Sequence, residues 1–229
     1  MPFPGFPEEL YRFLEDLSTH NDRDWFNENK DRYVRYAKEP TIGFILAMKD
    51  RLEGISPSYV ADPRSNGGSM FRIYRDTRFG KDKRPYKENI GCQFRHVAGK
   101  DAHAPGFYCH IQPGDNFAGG GIWRPPTPVL NKIRDAIDGK QDEWAAVKTF
   151  MQDSADVSYQ PGESLKRPPQ GFAADHPFID DLKQKTFFAG RPFADSEVIS
   201  ADFLDLVDKT FQDLAPLMRF INDALGLSF

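Results

Sequence analysis

Seven Lys or Arg residues and three acids share the twenty-residue stretch Met70–Asn89, with Phe71, Tyr74, Phe79 and Tyr86 threaded between the charges. Guanidinium groups grip carboxylates and phosphates through paired N–H donors, and ammonium groups act as point charges beside them. The wider window 64–100 holds ten basic and three acidic residues, a net +7. The whole chain is −4, so the remainder is strongly acidic. Such a concentration of positive charge calls for a negative counterpart: a ligand, a partner, or the protein's own carboxylates.

Alternation in three segments says where these groups would point. In a strand, successive side chains face opposite sides. Phe71 and Ile73 would share one face of a first strand, Met70–Arg75, with Arg72 and Tyr74 on the other. In a second, Asn89–Val97, the residues Ile90, Cys92 and Phe94 form the core side and leave Gln93 and Arg95 opposite. In a third, Gly106–Gln112, burial of Phe107, Cys109 and Ile111 leaves Tyr108, His110 and Gln112 on that same outer face. The expected ligand-binding set is therefore Arg72, Tyr74, Arg75, Arg78, Arg95, Tyr108 and His110. The loop residues Lys81, Lys83, Arg84 and Lys87 would form its rim, and Lys166 and Arg167 would approach from the extended coil around Pro168 and Pro169. The competing reading is a solvated outer face, with the loop cations neutralised by Asp76, Asp82, Glu88 or the acidic C-terminal half.

Other constellations carry less. Gly119-Gly120-Gly121 lacks the spacing of a Walker or dinucleotide loop, so it reads as a strand bulge or a place of close approach. The five histidines, His20, His96, His103, His110 and His176, show no metal-ligand spacing, and no metal site is expected. No residue pattern names a cofactor. Cys92 and Cys109 fall on apolar strand faces, as buried free thiols on adjacent strands would. Asp175-His176 resembles half of an acid–base pair, but Pro177 marks a helix start instead.

The elements that must position these residues read as helices, then strands, then helices. Leu10, Phe13, Leu14 and Leu17 form a helical stripe after Pro7. A second helix spans about 22–37, and Pro40 breaks it and starts a third, to about Leu52. A fourth strand, Asn116–Trp123, follows the turn Pro113-Gly-Asp-Asn116. Thr127 and Pro128 open another helix, Gln141–Met151 forms the next, and a short one lies near Ile179–Gln184. Thr186–Phe193 reads as a strand, and a final helix from Ser200 to about Leu225 would bend at Pro216 and stop at Gly226. The order gives a single α+β domain over residues 1–229, a central antiparallel meander with helices from both ends of the chain packed on one face. No apolar run reaches the ~20 residues that span a bilayer. Two cysteines and the absence of a secretory leader fit a reduced, cytoplasmic setting. The acidic balance argues against a general nucleic-acid coat protein, though not against a local contact. Nothing in the residues sets an oligomeric state.

Arg72-Ile-Tyr-Arg-Asp-Thr-Arg-Phe-Gly-Lys-Asp-Lys-Arg-Pro-Tyr-Lys87 resembles the hallmark of the microbial domain-of-unknown-function family 2461. The likeness continues at Trp25-Phe26-x-x-Asn29-Lys30, Pro105-Gly-Phe-Tyr108, Ala118-Gly-Gly-Gly-Ile-Trp-Arg-Pro125 and Leu165-Lys-Arg-Pro-Pro-Gln-Gly171. Gly80 and Arg84 depart from the Ser and Thr of that pattern. The resemblance implies one domain and supplies no catalytic residue. From the residues, the leading expectation is binding of a small phosphate- or carboxylate-bearing ligand. The rivals are an enzyme, with Arg72 or Arg75 stabilising charge and His110 or Tyr74 as acid or base, and a protein–protein adaptor.

Overall fold

A computed structural model describes residues 3–78, 81–99, 104–154, 156–160 and 162–229. Phe79, Gly80 and His103, named above, lie outside them. Helix α1 (Glu8–Thr19) buries Leu10, Phe13, Leu14 and Leu17, the stripe its spacing predicts. Asp22 caps α2 (Arg23–Glu28) by accepting from the Asp24 and Trp25 amides. The expected single helix over 22–37 is divided at Asn29. It resumes as α3 (Lys30–Arg32) and widens into a π-helical turn, Tyr33–Lys38, that runs straight into α4 (Glu39–Ile55). Pro40 therefore does not break the helix. It sits just after the π turn, whose wider winding accommodates a residue that cannot donate to the preceding turn.

The sheet has six strands in the order β1 (Tyr59–Val60), β2 (Ile90–His96), β3 (Gly106–Ile111), β4 (Asn116–Ile122), β6 (Phe187–Phe193) and β5 (Ser158–Tyr159), and every pairing is antiparallel. The β2–β3–β4 meander is the expected one. The first expected strand is not a strand. Met70 and Tyr74 make only isolated bridges, to Cys92 and Tyr86. Ser69 and Phe71 pair briefly with the free edge of β2, and then Ile73 and Arg75 pair with Lys87 and Pro85 of their own returning chain. Residues 72–78 and 81–88 thus leave the sheet as an irregular arm.

Helices α6 (Gln141–Asp153), α9 (Phe203–Asp213) and α10 (Ala215–Leu225) join α4 in packing against the sheet, and α5 (Thr127–Gly139) packs on α6 and α10. Two single-turn helices, α7 (Ile179–Leu182) and α8 (Asp195–Val198), complete the connections. The C-terminal helix expected to bend at Pro216 is instead two helices that meet at Leu214, and Gly226 ends the second in the left-handed conformation at φ 71°. The core between helices and sheet is rich in phenylalanine. Phe107 meets Phe211 at 4.6 Å between ring centroids, and Phe44 meets Phe203 at 5.7 Å. Cys92 and Cys109 are buried, free and directly opposite each other on β2 and β3. Burial pushes the Cys92 thiol up to about 12. No helix among the described residues is long and apolar enough to cross a membrane.

Candidate ligand pocket on the outer sheet face

Strand register fixes what the uncovered face offers. Three outward rows cross the sheet: Gly91–His110–Phe117–Pro192, Gln93–Tyr108–Gly119–Gly190 and Arg95–Gly106–Gly121–Phe188. Five of these twelve positions are glycine, so a depression opens between the remaining side chains. Gly119 is required by close approach: a Cβ there would stand 2.3 Å from the Phe188 ring and 2.6 Å from the Ala189 carbonyl. Gly121 adds a φ of 144°, where a side chain would be strained. The glycine run serves packing, and the packing shapes a pocket.

That pocket has a volume of about 350 Å³. Phe71, Tyr108, Phe117, Trp123 and Phe188 wall it, and Gln93 and His110 supply the polar groups. Trp123 stands edge-on to Phe188 at 6.2 Å and is 55% exposed. Phe71 is half-buried and leans over Tyr108 at 5.9 Å, so it belongs to the outer face rather than to the core side shared by Ile73.

Inside the pocket the polar groups are neutral and occupied. His110 stacks on Phe117 at 4.9 Å with the planes 10° apart. Its Nε2 lies 3.3 Å from Gln112 Oε1, an acceptor, so the network places the ring proton there. Nδ1 then accepts from the Tyr108 hydroxyl at 3.1 Å and from Asn89 Nδ2 at 3.4 Å. Burial lowers the His110 pKa against smaller opposing effects of Gln112 and Asp115, so the imidazole is neutral near pH 7. Burial raises that of Tyr108, which remains a phenol.

The cations of the sequence lie elsewhere. Asp82 receives Arg75 and Arg84, and Arg84 also reaches Glu88. Asp76 holds Arg78 at 2.7 Å. Hydrogen bonds from these arginines hold both aspartates well below the usual carboxylate range. Lys83 donates to the Thr77 carbonyl, and Lys81 is exposed. Tyr74 packs with Tyr86 and with Phe26 of α2. The arm is thus largely neutralised by its own acids and docked on the α1–α2 region, where Asn21 bonds the Tyr86 backbone and Glu88. None of these residues lines the pocket. Tyr108 and His110 do, and Arg95 is tied to the pocket's Gln93 by a 3.0 Å hydrogen bond.

One part of the arm approaches the wall. The Lys87 ammonium lies 5.1 Å from the centre of the Phe71 ring and donates to the Arg72 carbonyl. Burial, then the neighbouring Arg72 and Arg75, lowers its pKa. The Arg72 guanidinium is exposed and has no bonded partner among the described residues. Lys166 and Arg167 are exposed on a different loop, whose Leu165, Pro169 and Gln170 line a separate pocket with Arg124 and Arg134. The described residues contain no group of three His, Cys, Asp or Glu able to hold a metal ion.

Residues 9–220 match the family model described as conserved hypothetical protein (DUF2461), so the chain belongs to that family. No curated protein matches the chain.

Proposed function

We propose that this DUF2461 protein binds a small ligand made of a flat apolar body and an anionic group, seated on the outer face of its sheet. The observation that carries this reading is the pocket of about 350 Å³ walled by five aromatic rings around Gln93 and His110. That volume and lining suit a compact organic molecule, with rings to stack on it and a few polar atoms to orient it. The anionic group is argued from the Arg72–Lys87 neighbourhood. Burial and then the charges of Arg72 and Arg75 lower the Lys87 pKa, and the Arg72 guanidinium makes no ion pair among the described residues, although Asp76 lies near enough to feel its charge. An anion at that edge would relieve the repulsion.

Binding suits the pocket better than catalysis. Both His110 nitrogens are engaged, and a general base needs a free lone pair within reach of its proton. The test is calorimetric titration of 2-naphthoate, adenosine monophosphate and the uncharged 2-naphthalenemethanol into the intact protein. A flat acid should bind saturably and more tightly than the alcohol. Phe188→Ala should weaken it at least tenfold, about 1.4 kcal/mol. Arg72→Ala should cost about 1.5–3 kcal/mol, the worth of a charged hydrogen bond. Loss of a rim lysine such as Lys81 should cost about 1 kcal/mol or less and fade in salt. No saturable binding of either acid would refute the reading, and equal binding of acid and alcohol would remove its anionic part.

A further inference from the structure

A second site stands on the other side of the Trp123–Arg124 step, and nothing in the outer-face reading requires it. Arg134, on α5, is only 4% exposed. Its Nε donates to the Leu182 carbonyl at 2.7 Å, Nη1 to Asn131 Oδ1 at 3.2 Å and Nη2 to the Gln184 carbonyl at 3.3 Å. These are neutral acceptors. No salt bridge reaches Arg134 among the described residues, and burial alone, with no opposing carboxylate, accounts for its lowered pKa. A buried cation without a counter-ion is costly and is ordinarily paired. Of its five N–H groups three are taken, leaving one on each terminal nitrogen, the arrangement that pairs with two oxygens of one anion.

Arg134 lines a pocket of about 580 Å³ together with Arg124, Lys185, Glu163, Asn131 and Leu165. Three cations face one carboxylate there. Glu163 already binds two of them, Arg124 at 2.5 Å and Lys185 at 3.4 Å. The backbone is bent to present Arg124, which has a φ of 44° although it is not glycine. The loop bearing Lys166 and Arg167 borders the same pocket through Leu165, Pro169 and Gln170. Two sequence motifs, Ala118–Pro125 and Leu165–Gly171, therefore meet at the pocket that Arg134 lines.

We propose that this pocket is an oxyanion site, in which Arg134 pairs with a phosphate or carboxylate group while Arg124 and Lys185 close on it in exchange for Glu163. Glu163 then acts as an internal competitor, so removing its charge should strengthen binding, a result that general electrostatic damage to the fold would not produce.

The experiment is titration of inorganic phosphate and, separately, succinate into the full chain at constant ionic strength, read by calorimetry and by the rise of Tm with ligand. At least one anion should bind saturably in the millimolar range, and which one binds distinguishes a phosphate site from a carboxylate site. Glu163→Gln should tighten it several-fold, Lys185→Gln should weaken it a few-fold, and Arg134→Lys, which keeps the charge but loses the fork, should weaken it at least tenfold. Phe188→Ala should leave it unchanged, which separates this site from the outer-face pocket. Glu163 is exposed and Lys185 only partly buried, so their variants test the site even if Arg134→Lys fails to fold. Absence of saturation for both anions, or affinities unmoved by Glu163→Gln and Lys185→Gln, would overturn the proposal.

Discussion

The arm at residues 72–78 and 81–88 and the pocket beneath α5 are both rich in arginine, yet they hold their charges differently. In the arm, Arg75, Arg78 and Arg84 are exposed or partly so, and each lies against Asp76, Asp82 or Glu88 a few residues away. At Arg134 the charge is buried and every bonded partner is neutral. A dense run of positive charge therefore marks a place that mostly satisfies itself, whereas a single arginine on a helix marks one that does not. Exposed pairs are worth little because water screens them, while a buried donor's partners lose the full cost of desolvation when it goes.

Substitution by alanine at the two places should separate them. Arg134→Ala orphans the Leu182 and Gln184 carbonyls and leaves a cavity in their place. It should lower stability by about 3 kcal/mol in denaturant titration. A loss under about 1 kcal/mol would mean that water replaces the guanidinium freely and that the contrast is false. Acid should act on the arm instead. Asp76 and Asp82 have folded pKa values below their unfolded ones, so what they contribute is complete above about pH 4 and is lost as pH falls through the lowered values. Amide signals of Arg78 and Arg84, whose N–H groups donate to those aspartates, should shift below pH 4 while those around Arg134 stay in place. Simultaneous change at both would contradict independent charge balance. The smallest effect belongs to Arg84→Ala, a barely measurable loss of stability that shrinks further in 1 M salt, because its contacts are solvent-facing. A loss as large as that of Arg134→Ala would show the arm to be structural.

What the sequence made legible follows the same physics. Ile90, Cys92, Phe94 and Phe107, Cys109, Ile111 disclosed β2, β3 and their core face, because a sheet covered on one side imposes strict alternation. Met70–Arg75 alternates too, but pairing depends on a neighbour. Only Met70 and Phe71 reach β2, and Tyr74 turns to Tyr86. The neutral half of the outer face, Gln93, Tyr108 and His110, was readable. The pocket was not, because its floor is made of missing side chains. The available signal was glycine at outward positions on three successive strands: Gly91, Gly106, Gly119 and Gly121. Arg134 was missed because a lone helical arginine looks solvated. Its position four after Leu130 and three before Ile137 puts it on the buried stripe of α5, and that was the clue.

The central claim is that the outer-face pocket, and not the charged arm alone, receives the ligand. Mapping amide shifts while 2-naphthoate is titrated into the labelled protein tests it most directly. The account predicts that the largest changes cluster at Gly106, Tyr108, His110, Gly121 and Trp123, with smaller ones at Arg72 and Lys87. Changes confined to residues 75–88, or none that saturate, would contradict it.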